Sequence, residues 1–209
     1  MRFAIAVSIA LAAALSARTA AAAEIDDVNA AFFATYSTQC DLFLEDGGPA
    51  YPPDVYSFTY RSAWKAEGDP PGELRLYRYR CRIGAYNVGH VFFSVTEDGI
   101  VPLQFAVPVY RVIYEGSANT PASDTTPVRE IVIQGFGTVF RLSNTEVDAA
   151  TGTIRSIAWG RGIGDVSSTG EYRLIGGEYG LVTYDVDPTY DGKVNPLRIW
   201  DKNGARGND

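Results

Sequence analysis

Apolar and aromatic residues recur along this 209-residue chain in runs of four to nine, from residue 55 to near its end. Turn-forming sequences rich in Gly and Asp separate these runs at residues 97–99, 148–152, 175–177 and 190–192. Short apolar runs bounded by such turns are typical of antiparallel hairpins. They predict an all-β fold, either an antiparallel sandwich or a partly open barrel. The predicted strands lie near residues 55–65, 73–81, 89–96, 103–114, 129–134, 138–146, 153–159, 171–175, 179–186 and 196–200.

Two segments depart from the simple hairpin pattern. Asp26 and Asp27 precede a segment rich in Ala and Phe, which predicts one short N-terminal helix over about residues 27–37, with its apolar side on the sheet. In residues 74–79 the apolar phase of the alternation changes at Tyr77, and this predicts a bulge because a single face cannot stay buried through such a change. Loops rich in Gly and Pro are predicted at residues 46–54 and 116–127.

The N-terminal residues have the layout of a secretory signal peptide. Arg2 precedes an apolar run over residues 3–15, and three alanines end the segment at Ala23. The apolar run is shorter than the roughly 20 residues that cross a bilayer, and no later stretch is long enough either. The pattern predicts a signal peptide over residues 1–23, followed by a single periplasmic or secreted β-rich domain over residues 24–209, without a membrane span.

The charge balance narrows the classes of partner. The chain has 18 Lys and Arg residues against 25 Asp and Glu residues, a net charge of −7. A general nucleic-acid binder must neutralise phosphates, so nucleic acid is not an expected partner.

The two cysteines, Cys40 and Cys81, are expected to form a disulfide once the chain is exported, because extracytoplasmic compartments are oxidising. A reactive thiol is the alternative, since Arg80 and Arg82 flank Cys81 and would favour its thiolate. No Cys-x-x-Cys motif supports redox catalysis.

One basic segment stands out in this acidic chain. Planar guanidinium groups interleaved with phenol rings suit a carboxylate, a phosphate or a sugar face, so the segment is a candidate ligand-binding site. The alternative interpretation is an exposed strand that pairs with acidic neighbours. The residues concerned are Arg75, Tyr77, Arg78, Tyr79, Arg80 and Arg82.

Three segments, in order, carry a resemblance to a known family. They are Cys-Arg-Ile-Gly-Ala-Tyr-Asn at residues 81–87, Ala-Ala-Thr-Gly-Thr at 149–153 leading into Gly-Arg-Gly-Ile-Gly-Asp at 160–165, and the closing Leu-Arg-Ile-Trp at 197–200. The chain thereby resembles the bacterial exported proteins called domain of unknown function 1176 (DUF1176). The resemblance covers roughly residues 73–201 and corresponds to the C-terminal portion of longer members. It implies an envelope location and brings no established activity.

The motifs also supply candidate ligand-binding residues: Tyr86, Asn87, Arg161 and Asp165. Arg161 and Asp165 alternatively pair with each other, and the glycines around them then serve the backbone conformation. Nucleotide binding is not expected, because a second strand rather than a helix follows the glycines. Members of the resembling family usually carry two further cysteines, at places that correspond here to Val166 and approximately Tyr190. Their joint absence is what a dispensable second disulfide would leave.

The inventory of catalytic groups is small. His90 is the single histidine, it lies in an apolar strand, and no Gly-x-Ser-x-Gly motif supplies a nucleophile. Asp185, Asp187 and Asp191 offer oxygens for calcium, but Pro188 interrupts them and a solvated turn is the favoured interpretation. No catalytic residue, metal or cofactor is therefore predicted.

The sequence thus predicts an exported envelope protein of unknown activity, with a non-enzymatic domain that binds an envelope component or another protein. The alternative is a hydrolase that acts on an envelope polymer with a carboxylate, for which Asp165 is the nearest candidate base. An assembly subunit that pairs through strand edges is a third hypothesis.

Overall fold

A computed structural model describes residues 23–40, 43–45, 48–116, 121 and 123–204. They form one helix, α1, over residues 23–36, and otherwise strands and connections, so the all-β prediction with one N-terminal helix is confirmed. The predicted signal peptide lies outside the described residues except for Ala23. The strands are β1 Leu44–Glu45, β2 Gly48–Pro49, β3 Asp54–Tyr60, β4 Gly72–Ile83, β5 Val88–Thr96, β6 Gly99–Pro102, β7 Phe105–Tyr114, β8 Val128–Val139, β9 Leu142–Ser143, β10 Glu146–Val147, β11 Ile154–Trp159, β12 Ser167–Ile175, β13 Glu178–Asp187 and β14 Leu197–Asp201.

Two open antiparallel sheets dominate the fold. The first has the order β3-β4-β5-β6, with β9 also pairing with β5, and the second runs β10-β11-β12-β13-β14 in chain order. The hairpin β7–β8 and the short pair β1–β2 complete the pairing of the described strands. Neither five-stranded sheet closes on itself, so of the two predicted architectures the sandwich is the one observed.

The sandwich core lies between the two sheets. Leu76 and Phe92 from the first sheet meet Ile154 and Tyr172 from the second, and Phe105 of β7 packs edge-on against both Phe92 and Tyr172. All five side chains are at most 1% exposed. This burial supplies the hydrophobic driving force that joins the sheets.

The helix α1 covers the opposite face of the first sheet and makes a third layer. Phe32 stacks on Tyr79 of β4, with ring centroids 4.4 Å apart, and Tyr36 packs edge-on against Phe93 of β5. The Cys40–Cys81 disulfide, which the sequence predicted, joins the end of this layer to β4. Residues 23–26 are also helical, so the predicted start near residue 27 was wrong, and the two aspartates after Ile25 lie inside the helix rather than at its N-cap.

The predicted bulge at Tyr77 was wrong, and the three layers explain why. Leu74 and Leu76 face the sandwich core, whereas Tyr77 and Tyr79 face α1. Because both faces of β4 are covered, the apolar phase changes without any break in pairing to β5. The register of β4 on β5 shifts only at Cys81.

Other strand boundaries differ from the predictions where glycine or proline interrupts the pattern. The segments predicted at 129–134 and 138–146 are one long strand, β8, followed by the short β9 and β10, because Gly135 and Gly137 continue the ladder with β7 instead of forming a turn. The strand β6 was missed, and β3 ends at Tyr60 rather than at residue 65. Part of the predicted loop 46–54 pairs as β1–β2. None of the described residues forms a helix with the length and apolar character that crossing a bilayer requires.

Candidate functional site

The predicted basic strand does not present one continuous binding face. Arg75, Tyr77 and Tyr79 lie on the side of β4 that α1 covers, whereas Arg78 and Arg80 lie on the sandwich side. The alternation of side chains in a strand divides the set in this way.

On the helix side, the polar groups of all three candidate ligand-binding residues bind side chains of α1. The Arg75 guanidinium forms an ion pair with Glu24, and the Tyr77 hydroxyl donates to Glu24 Oε1 at 2.5 Å. Burial, followed by the neighbouring Glu24 carboxylate, raises the pKa of Tyr77 to about 12. The Tyr79 hydroxyl donates to Asn29 Oδ1 at 2.9 Å, and burial raises the pKa of this phenol as well. These contacts attach the helix to the sheet.

On the sandwich side, Arg78 donates to Asp54 Oδ2 at 2.7 Å and to the Thr145 carbonyl at 2.7 Å. Arg75 and Arg78 therefore both pair with acidic neighbours, as the alternative interpretation of the basic strand predicted. Arg80 is exposed, with its guanidinium 5.3 Å from the centroid of the Tyr51 ring.

His90 lies beside these arginines and is nearly buried. Its Nδ1 is 3.0 Å from the Thr145 hydroxyl. Burial, followed by the positive charges of Arg78 and Arg80, lowers the pKa of His90 to about 4. The imidazole is therefore neutral at pH 7, and no carboxylate hydrogen-bonds to it among the described residues.

The glycine-rich loop, residues 160–165, is organised by an ion pair between the half-buried Arg161 and the buried Asp165. The Arg161 guanidinium donates to both oxygens of Asp165, and also to the Tyr190 carbonyl at 2.8 Å. The Gly192 backbone N–H donates to Asp165 Oδ2 at 2.9 Å. These bonds fasten the loop to the segment before β14, and they join the two segments that carry Val166 and Tyr190.

A side-chain amide network fixes the neighbouring turn. Asn87 donates to the Trp159 carbonyl at 2.8 Å and accepts from the Trp159 backbone N–H at 2.9 Å. Asn144, which has a positive φ of 43°, donates to Asn87 Oδ1 at 2.8 Å, and its own side-chain oxygen accepts from the Val88 N–H. The network ties the starts of β5 and β10 to the end of β11.

Three aromatic rings and one isoleucine are exposed around this framework. The Tyr86 ring lies on the loop, where a Cβ at Gly162 would come within 2.9 Å of it, and a Cβ at Gly164 would lie 3.8 Å from Trp159 Nε1. The Arg161 guanidinium lies 5.1 Å from the centroid of the Tyr190 ring. We call this patch the aromatic surface; its members are Tyr86 (47% exposed), Trp159 (40%), Ile163 (63%) and Tyr190 (45%).

The four candidate ligand-binding residues of the motifs therefore lie close together, but three of them stabilise the structure and one is exposed. Asn87, Arg161 and Asp165 form hydrogen bonds within the protein, and of the four only Tyr86 has a large exposed surface. Sequence reasoning missed Trp159 and Ile163 because a lone apolar residue at a strand end or in a loop has no periodic signature. It also missed Asn144. The one feature of the sequence that could have indicated its role is that Asn tolerates positive φ better than most residues.

The three aspartates considered for calcium also bind groups of the protein itself. Asp187 is buried and accepts from the Asn195 backbone N–H at 2.7 Å, while Asp185 forms an ion pair with Arg198. Asp191 accepts from the Lys193 N–H at 2.9 Å, as in a simple turn. Within the described residues, no cluster of three His, Cys, Asp or Glu side chains has the arrangement that would hold a metal ion.

Asp165 makes a testable contribution to acid stability. Hydrogen bonds from Arg161, opposed by burial and supported by the Gly192 N–H, lower its pKa to about 2. Because the folded-state pKa is depressed, the stabilisation is fully present above the unfolded-state pKa of about 4 and is lost as the pH falls through about 2. We expect the thermal midpoint of Asp165→Asn to fall below that of wild type at pH 7, with the difference shrinking between about pH 4 and pH 2.

The matched control for this prediction is Asp191→Asn, which removes a carboxylate that is held in the turn before β14 by one local hydrogen bond. Calorimetric scans of the three proteins across the pH range give the measurement. A constant difference between wild type and Asp165→Asn at every pH would contradict the assigned titration.

Comparisons with protein-family models, with curated proteins and with solved structures find no match to this chain. The resemblance to DUF1176 accordingly stays a prediction from the three motifs.

Proposed function

We propose that this chain is an exported envelope protein which binds an envelope component, without catalysis, through the aromatic surface. The proposal includes the cleaved signal peptide, the periplasmic or secreted location and the resemblance to DUF1176. The disulfide supports export, because such bonds persist in oxidising compartments.

One observation carries the proposal: exposed rings are held on a rigid polar framework. The backbones beside Tyr86 and Trp159 are joined by the Asn87 amide, and Tyr190 is held by Arg161. Aromatic side chains have few rotatable bonds and lose little conformational entropy on binding, and Trp and Tyr are enriched among the residues that dominate binding energy. Their flat apolar faces suit sugar rings or the side chains of a protein partner.

No observation favours the alternative hydrolase, which stays a prediction. Both oxygens of Asp165 are engaged, and a carboxylate with a pKa of about 2 is a weak general base at pH 7.

The test is retention of the purified protein on peptidoglycan sacculi and on immobilised lipopolysaccharide. We expect Trp159→Ala to weaken retention by about tenfold or more, because removal of a central binding tryptophan typically costs at least about 2 kcal/mol. The matched control is Trp64→Ala, which removes a 91% exposed tryptophan outside the aromatic surface and should leave retention unchanged. Equal retention of wild type and Trp159→Ala on the material that binds wild type would exclude the aromatic surface as the binding site.

A further inference from the structure

The bulge in β4 separates one arginine from the others of the basic strand. Arg80 pairs with His90, but Arg82 pairs with Gly89, so Cys81 is the extra residue. Paired residues of an antiparallel ladder share a face, and Gly89 lies on the same face as Val91, which packs under α1. Arg82 therefore lies on the helix side of the first sheet.

Arg141 reaches the same place from the segment before β9. Its side chain crosses Gly89 so closely that a Cβ there would lie 2.6 Å from Arg141 Cδ. Its guanidinium lies 5.4 Å from the centroid of the Phe140 ring, which in turn stacks on Tyr36 with 5.3 Å between centroids. Gly89 and the Phe140 ring thus position the half-buried Arg141 beside Arg82, which pairs with Gly89.

The two arginines have no acidic partner among the residues that the structure describes. In the same strand, Arg75 pairs with Glu24 and Arg78 pairs with Asp54. Arg82 pairs with Gly89, and the Arg141 side chain crosses Gly89, so the two side chains are neighbours. In agreement with this placement, burial, followed by the positive charge of Arg82, lowers the pKa of Arg141. Two neighbouring cations repel each other, and a bound anion relieves that repulsion.

We propose that Arg82 and Arg141 form a binding site for a phosphate group. Two guanidinium forks match phosphate oxygens through paired hydrogen bonds, which a single ammonium group cannot do. The net charge of −7 disfavours non-specific attraction of anions to the molecule as a whole. The phosphate belongs either to a soluble ester or to a lipid headgroup. The site is independent of the aromatic surface, so either proposal can fail alone.

The test uses the protein as purified from cells, with its disulfide intact. Inorganic phosphate is titrated by isothermal calorimetry at low salt, and co-sedimentation is measured with phosphatidylglycerol–phosphatidylcholine vesicles and with pure phosphatidylcholine vesicles. We expect Arg82→Gln and Arg141→Gln each to weaken binding by about tenfold. The control is Arg155→Gln on β11, which should bind as wild type does.

A steric variant separates a built site from bulk charge. Gly89→Ala keeps both guanidinium groups but forces Arg141 to move, so we expect severalfold weaker binding. Binding of inorganic phosphate supports the site with a soluble ligand, and binding only to phosphatidylglycerol vesicles supports it with a headgroup, provided that Arg82→Gln reduces it. Absence of binding in every arm, or equal losses in Arg82→Gln and Arg155→Gln, would overturn the proposal. Circular dichroism of each variant confirms that it is folded.

Discussion

Replacement of Cys40 and Cys81 together by alanine is expected to lower the free energy of unfolding by about 4 kcal/mol. The bond links residues 41 positions apart, so it removes much of the freedom of the unfolded chain. For a domain of this size the loss corresponds to a decrease of about 10 °C in the midpoint of thermal unfolding. Urea denaturation followed by circular dichroism measures the change.

Reduction provides the control for the disulfide prediction. Wild type in a thiol reductant should unfold at the same urea concentration as the double variant, and the reductant should have no effect on that variant. If the double variant stays within about 1 kcal/mol of wild type, the disulfide does not hold α1 and β4 together as we describe.

The second large effect is expected from Phe32→Ala. The Phe32 side chain has no exposed surface, stacks on Tyr79 and contacts Tyr36, so its removal leaves a cavity between α1 and the first sheet. Substitutions of this kind cost about 3–5 kcal/mol.

The adjacent residue in the same helix supplies the control. Phe33 is 40% exposed, and its side chain belongs to neither core, so Phe33→Ala should cost less than about 1 kcal/mol. Equal losses in the two variants, measured by urea denaturation, would show that α1 is not docked through the face that contains Phe32.

Much of the fold was predictable because local signals agree with it. Turns rich in Gly and Asp separate the strands, and two cysteines in a chain predicted to be exported indicated the disulfide. The start of α1 was mislocated because Asp26 and Asp27 resemble an N-cap, although both lie inside the helix, which already includes residues 23–25. The single ladder of β8 was hidden because Gly135 and Gly137 resemble turn residues, and only the partner strand β7 shows that they continue the sheet.

The two-sided burial of β4 was not predictable from its alternation alone. Leu76 and Tyr77 are adjacent and both buried, which a single covered face does not allow, and only the presence of α1 on one side and the second sheet on the other resolves this. In the candidate site, too, one part was predictable from the sequence and another was not. The pairing of Arg161 with Asp165 was an open alternative in the sequence, but the Trp159 backbone is held by hydrogen bonds with Asn87, 72 residues away.

The central claim is that the aromatic surface contacts an envelope component in the cell. Its most direct measurement is photo-crosslinking in living cells, with p-benzoylphenylalanine in place of Trp159 or, as the control, in place of Trp64. We expect adducts in the envelope fraction from position 159 and only background from position 64. Equal adduct yields from the two positions, or adducts confined to cytoplasmic components, would contradict the account.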